Sequence, residues 1–194
     1  MARTKEFDEE RILTKAVDLF WTKGYNATSA QDLVDGLGIS RSSLYDTYGD
    51  KRALFIKALK HYRQQMIQHM IETVDNSKDI EQTLRNVFNS IKAEALGSKN
   101  PKGCFMVNST IELAQEDKEI SDIVNSMMSD LEDALSRAIK RGQDGGEFST
   151  IYSPRTLARF LMNSINGLRV AAKSNASKKT FDDIVNVSLS SLKQ

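Results

Sequence analysis

Between Ser40 and Lys51 the chain sets Arg41, Ser42 and Ser43 ahead of Tyr45, Thr47 and Tyr48. Serine hydroxyls are short and a guanidinium is a planar fork, so the first three can approach base edges in a major groove. Arg41 has the shape to read the O6/N7 pair of guanine. The hydroxyls of Tyr45, Thr47 and Tyr48 suit phosphate oxygens. Lys51 opens the next expected helix, where its charge and the helix N-terminus both favour a phosphate. From Ser40 to Arg63 six basic residues stand against two acids, an excess of four positive charges in a chain whose formal net charge is +1. Bulk charge therefore says little about partners, and local charge supports nucleic-acid contact only modestly. The same residues also fit three small helices with a solvated basic edge.

Other chemistry is sparse. His61 and His69 are two turns apart on one expected helix, roughly 12 Å by rise, too far for one metal, and no carboxylate cluster sits with them at ligand spacing. Glu112, Glu116 and Asp117 cluster without a partner base and read as a solvated helix end. Asp8, Glu9 and Glu10 complement the dipole of the first helix. The loop from Gly142 to Gly146 lacks the lysine and strand of a phosphate loop, and no nucleophile–base pair is visible. The expectation is no enzyme, no cofactor and no metal. One cysteine, Cys104, excludes an internal disulfide framework and a cysteine-rich zinc site. At a helix N-terminus near Lys102, its thiol could ionise readily and serve as a redox switch. Alternatively it is a small buried residue that starts a packed helix.

The elements that must position these groups are helical. Two prolines, ten glycines and the absence of alternating β-branched runs favour helix throughout, and 40% hydrophobic with 27% charged residues fits a globular chain. A first helix is expected from about Asp8 to Lys23 on Ile12, Leu13, Ala16, Val17 and Phe20, stopped by Gly24. Thr28 or Ser29 caps a second helix, with Thr28 and Gln31 resembling a capping box. Leu33, Val34 and Leu37 are its buried stripe, and Gly38 makes a tight turn. Ser40 caps a third helix to about Thr47. Two short helices joined by a glycine turn, locked by Ile39 and Leu44, are the parts of a helix-turn-helix. Asp50 caps a long fourth helix to about Val74 that connects two domains. Further helices follow at about Ser77 to Leu96, Cys104 to Gln115 and Lys118 to Arg141. An eighth opens at Ser153-Pro154, and a ninth carries Phe181, Ile184, Val185, Val187, Leu189 and Leu192. No apolar run approaches a membrane span and the N-terminus has no apolar signal core, so a cytoplasmic chain with no membrane partner is expected.

The segment from Phe20 to Lys51 resembles the TetR family of bacterial transcriptional regulators. Phe20-Trp21-Thr22-Lys23-Gly24-Tyr25 matches the family's close of the first helix, Thr28-Ser29 its opening of the second, and Leu44-Tyr45-Asp46-Thr47-Tyr48 with Lys51 its third-helix end. Tyr48 stands where phenylalanine is more usual. The resemblance implies that Thr28, Ser29, Tyr45, Tyr48 and Lys51 contact phosphates and that Arg41, Ser42 and Ser43 face bases. Tyr25 is either a phosphate ligand or, the favoured reading, a core ring. The implied architecture is all-α: a three-helix helix-turn-helix DNA-binding domain over residues 5–65, joined by a long helix to an all-helical effector-binding and dimerisation domain over 66–194.

Beyond that, Gly103-Cys104-Phe105-Met106-Val107-Asn108-Ser109-Thr110-Ile111-Glu112-Leu113-Ala114 is similar to a run in one TetR subgroup. An apolar effector pocket is expected among Met66, Met70, Phe88, Phe105, Met106, Met127 and Phe160. Leu161, Ile165, Leu168, Ile184, Val185, Leu189 and Leu192 are expected at a dimer surface, where Ser164, Gly167 and Ser188 let helices approach. The implied function is a homodimeric repressor that binds palindromic double-stranded operator DNA and is released by a small molecule of unknown identity. The alternatives are a thiol-sensing repressor using Cys104 and a helical small-molecule-binding protein or enzyme without operator binding.

Overall fold

In the computed structural model, which describes residues 9–174 and 176–193, every regular element among the described residues is helical. Asp8, included in the expected first helix, lies outside the described residues. The chain divides into two compact units, and the division is not a single cut. The first takes residues up to 67 together with 108–125; the second takes 68–107 and 126 onward. The expected boundary near residue 65 therefore misses a returning segment.

In the first unit, α1 (Glu9–Lys23) packs on α4 (Lys51–Tyr62) and on α2 (Ala30–Leu37), while α3 (Arg41–Tyr48) bridges α2 and α4. Ile12, Ala16 and Phe20 recur every four residues on α1 and are all buried, the spacing that aligns side chains on one helical face. Leu33 and Leu37 of α2, Leu44 and Tyr48 of α3, and Leu54, Phe55, Ala58 and Leu59 of α4 are buried in the same unit. Phe55 stands edge-on to Phe20, with ring centroids 5.0 Å apart and planes at 84°, the arrangement aromatic quadrupoles prefer. His61 is buried and its Nε2 lies 3.0 Å from Thr14 Oγ1, while His69 is exposed.

The expected long helix to Val74 is present as an unbroken helical run from residue 51 to 75, with one irregular turn inside it. A π-helical turn, Arg63–Ile67, separates α4 from α5 (Gln68–Asp75), a single-turn widening of the kind often found at functional positions. The next helices are α6 (Ile80–Gly97), α7 (Phe105–Leu113) and α8 (Lys118–Asp144). Asp79 caps α6 through Gln82 N.

In the second unit α6, α9 (Pro154–Lys173) and α10 (Lys178–Ser190) pack together. Ser153 caps α9 and Pro154 occupies its first turn, where a missing N–H costs nothing. The core joins Leu84, Phe88 and Ile91 of α6 to Leu157, Leu161, Ile165 and Leu168 of α9 and to Phe181, Val185 and Leu189 of α10, with Leu192 beyond. This corrects the expected dimer surface. Leu161, Ile165, Leu168, Val185, Leu189 and Leu192 are buried inside the protomer, and Ile184 is half-buried. Helical spacing identified a buried face but not which neighbour buries it. The outward face of α9 instead shows Phe160, Asn163, Gly167 and Val170, and α10 shows Val187.

Candidate nucleic-acid interface

The helix-turn-helix is built by two caps and one glycine. Ser29 is the N-cap of α2: its Oγ accepts from Asp32 N at 3.1 Å, and Asp32 Oδ2 accepts from Ser29 N at 2.8 Å. This reciprocal pair is a capping box, displaced by one residue from the expected Thr28–Gln31 pair. Lys23 lies 2.6 Å from Asp32, and its hydrogen bond, followed by those from Ser29, holds the Asp32 carboxyl well below the usual carboxylate range. Gly38 ends α2 at φ 69°, ψ 35°, the left-handed region where a side chain is strained. Ser40 then caps α3, its Oγ accepting from Ser43 N at 3.1 Å.

α3 buries Leu44 and Tyr48 and turns Arg41, Ser42 and Tyr45 outward, with Ser43 and Thr47 half-buried. Ser42 Oγ and Ser43 Oγ lie 3.0 and 2.9 Å from Ser40 Oγ. The helix thus presents a hydroxyl cluster, a guanidinium and a phenol on one accessible side, held by an apolar opposite side. Groups of this size and polarity can enter a major groove and meet base edges and phosphates.

Three residues expected at phosphates are engaged inside the unit. Thr28 is buried, and its Oγ1 donates to Gly24 O at 2.5 Å. Tyr48 is buried with its hydroxyl meeting no hydrogen-bond partner. Burial first, then the charge of Glu9, pushes that phenol up to about 12, so it stays neutral. Lys51 Nζ donates to Tyr25 O at 3.0 Å and Thr28 O at 2.9 Å and sits 4.3 Å from the Tyr25 ring centroid. Lys51 therefore ties the start of α4 to the α1–α2 turn. Tyr25 packs its ring against Phe20 and Phe55, centroids 6.1 and 5.0 Å away, in keeping with the core reading.

Sequence reasoning missed Glu112. It is half-buried, and its carboxylate accepts from Tyr25 N at 2.9 Å and Asn26 N at 2.7 Å. Asp117 takes the fork of Arg52, at 2.5 Å from Nε and 3.0 Å from Nη2, with Glu119 Oε2 3.1 Å from Nη2. The hydrogen bond from Arg52 holds the Asp117 carboxyl below its ordinary value. Glu112 and Asp117 are fastenings within the first unit and not part of a solvated helix end, while Glu116 is exposed. Gly24 has φ +85°, and a Cβ there would come 3.2 Å from Glu112 Oε2.

The expected pocket residues separate. Phe88, Phe105, Met106 and Met127 are buried, Met70 is half-buried, and Met66 and Phe160 are exposed, which removes the last two from any enclosed pocket. Phe88 fills the core of the second unit. An open groove of about 550 Å³ lies elsewhere, lined by Ser136, Arg137, Lys140, Arg141, Ser153, Pro154 and Arg155. Its cations are engaged: Arg137 with Asp75, Lys140 with Asp144, Arg141 with Val74 O, and Arg155 with Glu132 and Asp133. Cys104 is buried just ahead of α7, and Glu94 Oε1 accepts from Lys102 N and Gly103 N at 3.1 Å each. Among the described residues no group of three His, Cys, Asp or Glu side chains is placed to hold a metal, and no helix is long and apolar enough to cross a membrane.

The capped α2–turn–α3 pair with a polar outward helix defines a helix-turn-helix DNA-binding protein. Known proteins agree. The family pattern described as "Bacterial regulatory proteins, tetR family" matches residues 12–58, and "Tetracyclin repressor-like, C-terminal domain" matches residues 80–187. The chain is 36% identical over 193 residues, 99% of its own length and all of the relative's, to the uncharacterized HTH-type transcriptional regulator YezE of Bacillus subtilis. It is 30% identical to the HTH-type transcriptional repressor ComR of Escherichia coli, over 96% of this chain and 90% of that one. Among solved structures, a cysteine mutant of the TetR family regulator CifR complexed with 26-bp operator DNA superposes with a TM-score of 0.81 at 24% identity, covering 97% of this chain and 98% of that one. The chain belongs to the TetR family of helix-turn-helix transcriptional regulators and is itself a DNA-binding regulator.

Proposed function

We propose that this regulator is a non-enzymatic, cytoplasmic repressor that sits on a palindromic operator as a homodimer and leaves it when a small molecule binds. The observation that carries the DNA-reading part is the outward side of α3, with Arg41, Ser42 and Tyr45 exposed over buried Leu44 and Tyr48. Of the expected contacts, Arg41, Ser42, Ser43, Tyr45 and Thr47 stay at the DNA surface. Ser29 joins them through the exposed N-terminus of α2. Thr28, Tyr48 and Lys51 act as supports.

Dimerisation is supported by the outward stripe of α9. Phe160 and Val170 are 43% and 48% exposed, and a Cβ on Gly167 would meet nothing within 4 Å. Val187 of α10 adds apolar surface. A two-fold pair of reading helices about 34 Å apart would match successive major grooves. The effector is expected in the second unit near Phe105, Met106 and Met127, and must favour a geometry in which the paired helices no longer fit DNA.

Selection of bound duplexes from random DNA by the intact chain tests the reading. The expected outcome is a two-fold symmetric consensus with half-sites one helical turn apart, bound with steep salt dependence. Recovery of no common sequence would sink it.

A further inference from the structure

Glu112 lies outside the reading helix, yet its carboxylate is the acceptor for two successive backbone amides of the α1–α2 turn. The peptide linking Tyr25 to Asn26 is the informative one. Its N–H, on Asn26, points to Glu112 at 2.7 Å, and its C=O, on Tyr25, accepts from Lys51 Nζ at 3.0 Å. One peptide dipole is thus aligned between an anion on its positive end and a cation on its negative end. Both bonds are charge-assisted, the stronger class of hydrogen bond. Gly24 leaves room for the carboxylate. The same lysine reaches Thr28 O at 2.9 Å, immediately before the Ser29 cap of α2. Next to Lys51, Arg52 is held by Asp117 just past the same α7.

We propose that Glu112 is a positioning residue for DNA reading. It orients the Tyr25–Asn26 peptide, which seats Lys51, which fixes the entry of α2 against the start of α4. The α2–α3 pair then meets DNA without first having to order that turn. The assignment rests on the DNA-binding reading.

The sign of the effect separates positioning from plain charge. Deleting a carboxylate from a protein that binds a polyanion tightens binding when only the long-range field matters. Positioning predicts weaker binding. The test compares Glu112→Ala and Glu112→Gln with Glu116→Gln, an exposed neighbouring carboxylate bearing the same charge change. The probe is the duplex recovered by random-sequence selection with the intact chain. Glu112→Ala should weaken binding about tenfold or more, Glu112→Gln by less because an amide oxygen can still accept, and Glu116→Gln not at all. Amide hydrogen exchange at Tyr25 and Asn26 should speed up about tenfold in Glu112→Ala, with the circular dichroism spectrum unchanged. If the alanine chain fails to fold, the glutamine chain gives the same two readouts. Equal or tighter binding by the folded Glu112 variants, or unchanged exchange at both amides, overturns the proposal. Failure of the wild-type chain to select any sequence would instead sink the DNA-binding reading, and the exchange measurement still decides whether Glu112 holds the turn.

Discussion

Arg41 stands exposed on the first turn of α3, beside the Ser40–Ser42–Ser43 hydroxyl cluster. If its fork reads a guanine, Arg41→Ala should cost about 1–3 kcal/mol of specific binding and relax preference at one base position per half-site. Competition binding against single-base variants of the selected duplex measures both effects. A uniform loss across sequences would make Arg41 a phosphate contact instead. Tyr48 calls for the opposite kind of test. Its hydroxyl is buried without a hydrogen-bond partner, and an unpaired buried polar group costs about 1–3 kcal/mol. Tyr48→Phe should therefore leave the melting temperature unchanged or raise it, and should leave DNA affinity intact. A several-fold affinity loss would show that the phenol reaches a phosphate when DNA binds. The sequence offered Tyr48 as a hydroxyl because residue type was visible and burial was not. Leu44 and Tyr48 lie four residues apart, on the same helical face, and that spacing was the available warning. Glu112 was opaque for a different reason: its partners are backbone amides more than eighty residues away in the chain, which no local pattern encodes.

At the scale of elements, most helices were legible because their starts are written in side chains. Ser40, Asp50 and Ser153 each accept from an amide three residues on, in α3, α4 and α9. Boundaries slipped where two cap candidates stood together, as at Thr28 and Ser29. The π turn at Arg63–Ile67 left no mark, because the apolar face of a widened turn differs little from that of a regular one. Gly38 is the element that sets the α2–α3 angle. A Cβ there would meet only Lys15 Nζ, at 3.8 Å, so the penalty for a side chain is backbone strain and not a clash. Gly38→Ala should destabilise the chain by about 1–2 kcal/mol, and Gly38→Asn by less, since asparagine tolerates the left-handed region. Urea midpoints of the two variants would check this. Equal costs for both would mean that side-chain bulk, not φ, is what the turn excludes.

At the scale of the whole molecule, ion pairs join distant segments within each unit. Arg52 lowers Asp117, Arg137 lowers Asp75, Lys193 lowers Glu81 and Lys92 lowers Asp182. Each folded carboxyl titrates below its unfolded value, so its contribution is present above the ordinary carboxylate range and is lost as pH falls through the folded values. In each pair one partner is exposed and the other partly buried, so each is screened. Urea midpoints should hold from pH 7 to about 5 and then fall steadily toward pH 3.

Assembly sets the final constraint. The apolar residues of α9 and α10 that looked suited to a partner are consumed by the protomer's own core, so the proposed dimer contact has to be made by what remains outside. Gly167 is informative because nothing inside the protomer requires it to lack a side chain: open space surrounds its Cβ position. Glycine within a helix costs about 1 kcal/mol relative to alanine. Its presence is explained if a second chain approaches there. Gly167→Gln should then have two effects of opposite sign. The protomer gains helix propensity, while the added bulk on the stripe of Phe160, Gly167 and Val170 drives the chains apart. Sedimentation equilibrium should show a dimer constant weakened by about tenfold or more, and half-site cooperativity on DNA should fall with it. A variant that stays fully dimeric would place the two-fold contact on another face of the second unit.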